Sequence, residues 1–135
     1  MNEITIQGNL TDDPALHHSP NGVAVLTFSV AVNGRRFNRQ TNGWVHTAPV
    51  FHNVVAFNAL AENAADSLVK GTTVTITGEF VDDSWQTDDG RKIWRSKLLA
   101  DNIAISLRFA TAQITKIRRD QPTEPAELSA AQPAG

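Results

Sequence analysis

The sequence predicts a mainly β fold, a small barrel of five strands with one helix, on three observations. Four segments alternate apolar and polar residues with the period of a strand, and a fifth is apolar-rich. One segment alone has the four-residue spacing of a helix. Short turn signals separate the strand segments. A hydrophobic fraction of 41% and a charged fraction of 19% suit an ordinary core, and 135 residues suit one domain with a tail.

The elements follow in order. "EITIQG" places Ile4 and Ile6 on one face, and "VAVLTFSVAV" places Ala24, Leu26, Phe28, Val30 and Val32 together. "VFHNVVAF" sets Val50, Val54 and Ala56 against an opposite face of Phe51, Asn53, Val55 and Phe57. In "NALAENAADSLVKG" the residues Leu60, Ala64 and Leu68, with Ala61 and Ala65, form one helical stripe. Asn58 is placed to cap that helix, Lys70 to suit its last turn, and Gly71 to end it in the left-handed conformation. "TTVTITGEF" returns to alternation with Val74, Ile76 and Phe80, and "IWRSKLLADNIAI" supplies the last strand. Turns are expected at Pro20-Asn21-Gly22, Asn33-Gly34, Asn42-Gly43 and Asp89-Gly90. Periodicity by itself gives a small β-barrel with one helix and leaves a generic α+β sheet open. A helix between the third and fourth of five strands is the order of an OB-fold. Residues 1–112 are thus read as the folded domain. "TAQITKIRR" allows an extra strand at 112–118, and 119–135, rich in Pro, Ala and acids, reads as a short disordered tail.

Several function classes lose support. There is no cysteine, which removes disulfides, thiolate metal sites and a cysteine nucleophile. The N-terminus lacks a secretory pattern, and no stretch approaches the roughly 18 apolar residues of a membrane span. The expected compartment is the cytoplasm. His17 and His18, adjacent in a presumed loop, with His46 and His52, match no metal-ligand spacing. Asp82-Asp83 and Asp88-Asp89 lack the alternation of a calcium loop. Neither a phosphate-cradling glycine loop nor a nucleophile elbow occurs. No cofactor is expected, and an enzyme is the weaker reading. A formal net charge of −2 means that any affinity for nucleic acid must come from a local patch.

Such a patch is written into the aromatics. Phe37 lies between Arg36 and Arg39, and Trp44 follows Asn42-Gly43. Phe51 and Phe57 share a strand face. Trp85 and Trp94 bracket the Asp89-Gly90 turn, among Arg91, Lys92, Arg95 and Lys97. Flat rings for bases and cations for phosphates suit single-stranded nucleic acid, whose base faces are unstacked; each base–ring stack contributes about 1–3 kcal/mol. The plainer reading is that aromatics are core. It is preferred for Phe28 and Phe80, evenly balanced for Phe57, and less apt for Phe37 and Trp85 in their polar settings. Trp44 and Trp94 could instead cover a barrel end. Loop arginines such as Arg35, Arg36 and Arg39 are commonly just solvated.

Three stretches carry a resemblance: "GNLTDDPALHHSPNGVAVLTFSVAVN", "LAENAADSLVKGTTVTITGEF" and "SWQTDDGRKIW". From about Asn2 to Ala112 the chain resembles the bacterial single-stranded DNA-binding protein (SSB) family. The resemblance implies an OB-fold and a homotetramer that wraps single-stranded DNA. It carries the family's stacking positions onto Phe37, Phe51, Phe57 and Trp85. Trp44 matches a tryptophan of actinobacterial members, whereas Trp94 has no usual counterpart. Typical members end in a glycine-rich linker and an acidic tip that recruits other proteins. This sequence ends "SAAQPAG", similar to a short second SSB of actinobacteria, so the usual tip partners are not expected. "QITKIR" is the candidate for a strand that clasps a neighbouring subunit.

The expectation is a non-enzymatic binder of single-stranded DNA that supports replication, recombination or repair. Phe37, Phe51, Phe57, Trp85, Trp44 and Trp94 would stack bases. Arg35, Arg36, Arg39, Arg91, Lys92, Arg95 and Lys97 would meet phosphates. The alternatives are an OB-fold protein-interaction module without DNA binding and, on fold alone, an oligosaccharide binder.

Overall fold

The computed structural model describes residues 3–117. The strands are β1 (Ile4–Leu10), β2 (Ala15–His18), β3 (Ala24–Asn38), β4 (Gly43–Phe57), β5 (Thr73–Asp82), β6 (Trp85–Gln86), β7 (Lys92–Ile93) and β8 (Ser96–Ile105), with helix α1 (Asn58–Ser67) between β4 and β5. The main sheet runs β1-β5-β8-β4-β3-β2, and β1 also pairs with β3. That last pairing, Asn9 with Ala31 and Leu10 with Val30, closes five strands into a barrel. All neighbours are antiparallel except β4 and β8, which meet in parallel at Val54–Leu98 and Val55–Leu99. A closed barrel removes the free edges that would otherwise invite aggregation.

The alternating residues meet inside. Leu26, Val30, Val54, Val74, Ile76 and Leu98 are fully buried, and Leu10, Phe28 and Ala56 join them. Each aliphatic side chain taken wholly from water contributes about 1.5–3 kcal/mol. The helix closes one end of the barrel with the predicted stripe: Ala61, Ala64 and Leu68 are buried, and Leu60 and Ala65 pack at the margin. Gly8 lets β1 approach β3, since a Cβ there would stand 2.6 Å from the Ala31 carbonyl oxygen.

Five local expectations are corrected. The helix is not capped by Asn58. Phe57 occupies the cap position without a side-chain bond, and Asn58 takes a left-handed φ of 60°, which asparagine tolerates. Lys70 and Gly71 lie beyond the helix, which ends at Leu68 with its N–H donating to the Ala64 carbonyl. Gly71, at φ 89°, instead serves the Val69–Thr72 turn and donates its N–H to the Leu10 carbonyl. Asn33-Gly34 is no turn: β3 runs through it, and the register shifts there by a bulge. His17 and His18 stand on a strand, β2, which pairs with the first residues of β3. Phe80, expected in the core, is 42% exposed.

The other turns are as expected. Ser19 and Val23 bracket the Pro20-Asn21-Gly22 turn, with the Ser19 N–H donating to the Val23 carbonyl at 2.9 Å. The Asn38 carboxamide oxygen accepts the N–H groups of Gln40 and Thr41 before Gly43 opens β4. Residues 106–117 have no regular secondary structure and lie over the end of α1 and β8, with Leu107, Phe109, Ile114 and Ile117 exposed. No strand therefore forms within 112–117 of the isolated chain; residue 118 and the expected tail at 119–135 lie outside the described residues. Among the described residues no helix is long and apolar enough to cross a membrane.

Candidate nucleic-acid interface

β3 and β4 form a hairpin of two 15-residue strands that outruns the barrel. Within the barrel their pairing sorts two faces. Leu26–Ala56 and Phe28–Val54 turn inward, while Val25–Phe57, Thr27–Val55, Ser29–Asn53 and Ala31–Phe51 turn outward. Phe51 and Phe57 are therefore on the outer face as the sequence pattern predicts, 62% and 40% exposed.

The bulge lies on β4, where two residues separate Thr47 from Val50 while one separates Val32 from Gly34 on β3. Pro49, inside it, has no N–H for the ladder. Because β3 keeps its alternation, Arg35 and Phe37 continue the outer face of Ala31. Arg35 pairs with His46 and Phe37 with Trp44. Arg35, Arg36 and Phe37 thus belong to a strand and not to the loop the sequence suggested. The Phe37 and Trp44 rings meet edge to face at 5.4 Å and 72°. The Arg35 guanidinium lies 5.3 Å from the centre of the Trp44 ring.

Trp85 and Trp94 sit on a second hairpin, β6–β7. Trp85 pairs with Ile93 and Gln86 with Lys92, so the two pairs project to opposite sides. Each side carries a ring and a cation. The Arg95 guanidinium lies 4.6 Å over Trp85, and the Lys92 ammonium lies 4.1 Å over Trp94. Neither Trp44 nor Trp94 covers a barrel end; they are 63% and 75% exposed. The turn between these strands is built by Thr87 and Asp89. Thr87 donates its N–H to the Arg91 carbonyl at 2.8 Å, and the Thr87 hydroxyl donates to the Asp89 carboxylate. That hydroxyl, helped by the Arg91 N–H, holds the Asp89 carboxyl below its ordinary value. The Ser84 hydroxyl and N–H do the same for Asp82.

The cations fall into two groups. Arg95 and Lys97 both pair with Asp83, at 3.3 and 3.5 Å, and Arg91 pairs with Asp89 at 3.4 Å. Arg36 and Arg39 have neither an ion pair nor a ring partner among the described residues. Sequence reasoning missed Phe80. It lies on the inward row but past the end of the packed layer, 5.5 Å from the His52 ring. With Trp94 and Arg95 it lines an open hollow of about 500 Å³. The length of β5 relative to its buried residues is the signal that could have found it. Among the described residues no group of three acidic or histidine side chains could hold a metal.

Comparison with known proteins agrees with this arrangement. Residues 1–106 match the family model described as "Single-strand binding protein family". The chain is 39% identical over 117 residues to a single-stranded DNA-binding protein of Paenarthrobacter aurescens, covering 87% of this chain and 68% of that one. It is 41% identical over 113 residues to single-stranded DNA-binding protein 2 of Streptomyces coelicolor, covering 84% and 57%. The crystal structure of the small single-stranded DNA-binding protein from Streptomyces coelicolor superposes with a TM-score of 0.66 at 26% identity, over 78% of this chain and 94% of that one. The closed five-stranded barrel, the helix between its third and fourth strands and the match along its length lead to one conclusion: the chain belongs to the single-strand binding protein family.

Proposed function

We propose that this chain binds single-stranded DNA without reading its sequence and protects it during replication, recombination or repair, in the cytoplasm with the nucleoid. The observation that carries the reading is the number of rings left outside the core on two neighbouring kinds of surface. Phe37, Trp44, Phe51 and Phe57 lie along one face of β3–β4, and Trp85 and Trp94 stand on the β6–β7 hairpin. Bases stack on these six rings. Arg35, Arg36, Arg39, Arg91, Lys92, Arg95 and Lys97 meet the phosphates, with Arg36 and Arg39 unencumbered by carboxylates among the described residues. Residues 1–112 make up the binding domain, and a homotetramer is the working unit. The exposed apolar side chains of Leu107, Phe109, Ile114 and Ile117 support association, because a segment so apolar is rarely left in water.

The test is quenching of tryptophan fluorescence by oligo(dT), repeated with duplex DNA and across a salt series. Stacking predicts strong quenching by the single strand alone. It also predicts a log–log salt slope of about −0.7 for each phosphate neutralised. Equal binding to duplex would reduce the interface to a general basic patch. Sedimentation equilibrium of the free protein tests the tetramer.

A further inference from the structure

From Pro14 to Ala61 the chain contains no aspartate or glutamate, yet all four histidines and Arg35, Arg36 and Arg39 fall inside that stretch. The stretch is β2, β3, β4 and the first residues of α1. One sheet region therefore carries no acid of its own, in a chain whose formal net charge is −2. Register decides which histidines share its outer face. His17 pairs with Val25, and Val25 pairs with Phe57, so His17 continues the row of Phe57 across three strands. At about 4.8 Å per strand it stands roughly 10 Å from Phe57, within reach of the backbone of a nucleotide stacked there. His46 pairs with Arg35 and lies two residues from Trp44 on the same strand face. Both are exposed. The other two face elsewhere: His18 pairs with Ala24 and His52 with Val30, both on the inward row.

We infer that His17 and His46 are phosphate contacts at the two ends of the outer β3–β4 face, engaged as imidazolium, so that DNA binding takes up protons. This rests on the single-strand reading above. Histidine is the side chain that changes charge between pH 5 and 8, and a phosphate beside an imidazole favours its protonated form. The surroundings permit it. Facing His17 are Val25 of β3 and Phe57 of β4; α1 carries Glu62 and Asp66, and the segment before β2 carries Asp12 and Asp13. None of these carboxylates forms an ion pair with a histidine among the described residues. Facing His46 is Arg35, and among the described residues no third strand flanks β4 there, since its pairing with β8 is confined to Val54 and Val55. A phosphate drawn to Arg35 therefore meets His46 as well, with no acid opposing it.

The experiment titrates the full chain with oligo(dT) at constant ionic strength from about pH 8 to about pH 6, a window in which histidine gains charge and carboxylates do not. The wild type binds about three- to tenfold more tightly at the acid end, each contact having the strength of an exposed ion pair. Its salt slope steepens by about 0.7 for each imidazolium engaged. The H17Q/H46Q variant binds no more tightly than wild type at pH 8 and loses the pH response, while H18Q keeps it. Calorimetry in two buffers of different ionisation enthalpy shows proton uptake by the wild type and little by the double variant. Should the double variant not fold, H17Q and H46Q singly, each at an exposed strand position, make the same comparison. A wild type that binds equally at both pH values overturns the inference, as does a double variant that keeps the full response. Absence of binding at every pH rejects the single-strand reading instead.

Discussion

Asp83 holds two cations at once. Arg95 lies 3.3 Å from one of its oxygens and Lys97 3.5 Å from the other, and both cations sit beside the Trp85 hairpin. Such exposed pairs contribute only about 0–1 kcal/mol to stability. Their larger effect is on a phosphate, which must compete with the carboxylate. Asp83→Asn is expected to tighten oligo(dT) binding several-fold and to steepen its salt slope, with little change in melting temperature; parallel salt titrations of the two proteins decide it. Trp85→Ala is expected to lose about 1–3 kcal/mol of binding, measured at fixed salt. At this scale the sequence was a good guide to residue type and a poorer one to company. The rings were legible because arginines and turn residues surround them. That Arg95 and Lys97 are engaged with Asp83 was not, because those ion pairs depend on how the β6–β7 hairpin folds back on residue 83; Arg91 pairs within the turn, with Asp89.

Elements were legible where a period of two or four persisted. Four of the five long strands and the helix follow from that repetition, and the fifth from its apolar run; the core residues of the four are the ones alternation picks out, while Val55, on the outer face of β4, is buried as well. The failures have physical causes. Asn33-Gly34 has the composition of a turn, but pairing with β4 on both sides of it holds β3 extended, and the bulge absorbs the irregularity. Four residues make β2 too short for any period to show. Phe80 obeys its alternation but lies beyond the layer that would cover it, an end effect that alternation does not encode. Closure of the barrel depends on Gly8, and Gly8→Ala should destabilise the fold by about 1–3 kcal/mol, read from chemical denaturation, through overpacking against Ala31. The β6–β7 turn carries a pH prediction. The Asp89 carboxyl is held below its ordinary value of 3.8 in the folded chain, first by the Thr87 hydroxyl. Its contribution is therefore complete above pH 3.8 and is lost as pH falls through the lower folded value. Acid should loosen this hairpin, followed by Trp85 emission, while leaving it unchanged between pH 6 and 8.

For the whole molecule, two regions divide the work. The barrel and α1 hold the buried residues, and Leu26→Ala, at a fully buried site, is expected to cost about 2–5 kcal/mol in thermal or chemical unfolding. Charge is divided as well: the acids lie outside the sheet region from Pro14 to Ala61 that bears the aromatic row, so a modest negative total conceals a basic face. Among the described residues the β3–β4 arm past the bulge has no neighbouring strand. Its residues are held by one ladder only, and three arginines, Arg35, Arg36 and Arg39, lie at or near its tip. A protease that cleaves after arginine would meet there a backbone held by a single ladder. Within the arm, nicking should fall at Arg39, in the turn itself, while the barrel survives as a resistant core, and oligo(dT) laid along the arm should shield it. The arm is thus a built-in reporter: the rate at which trypsin cuts it counts the molecules that hold a strand.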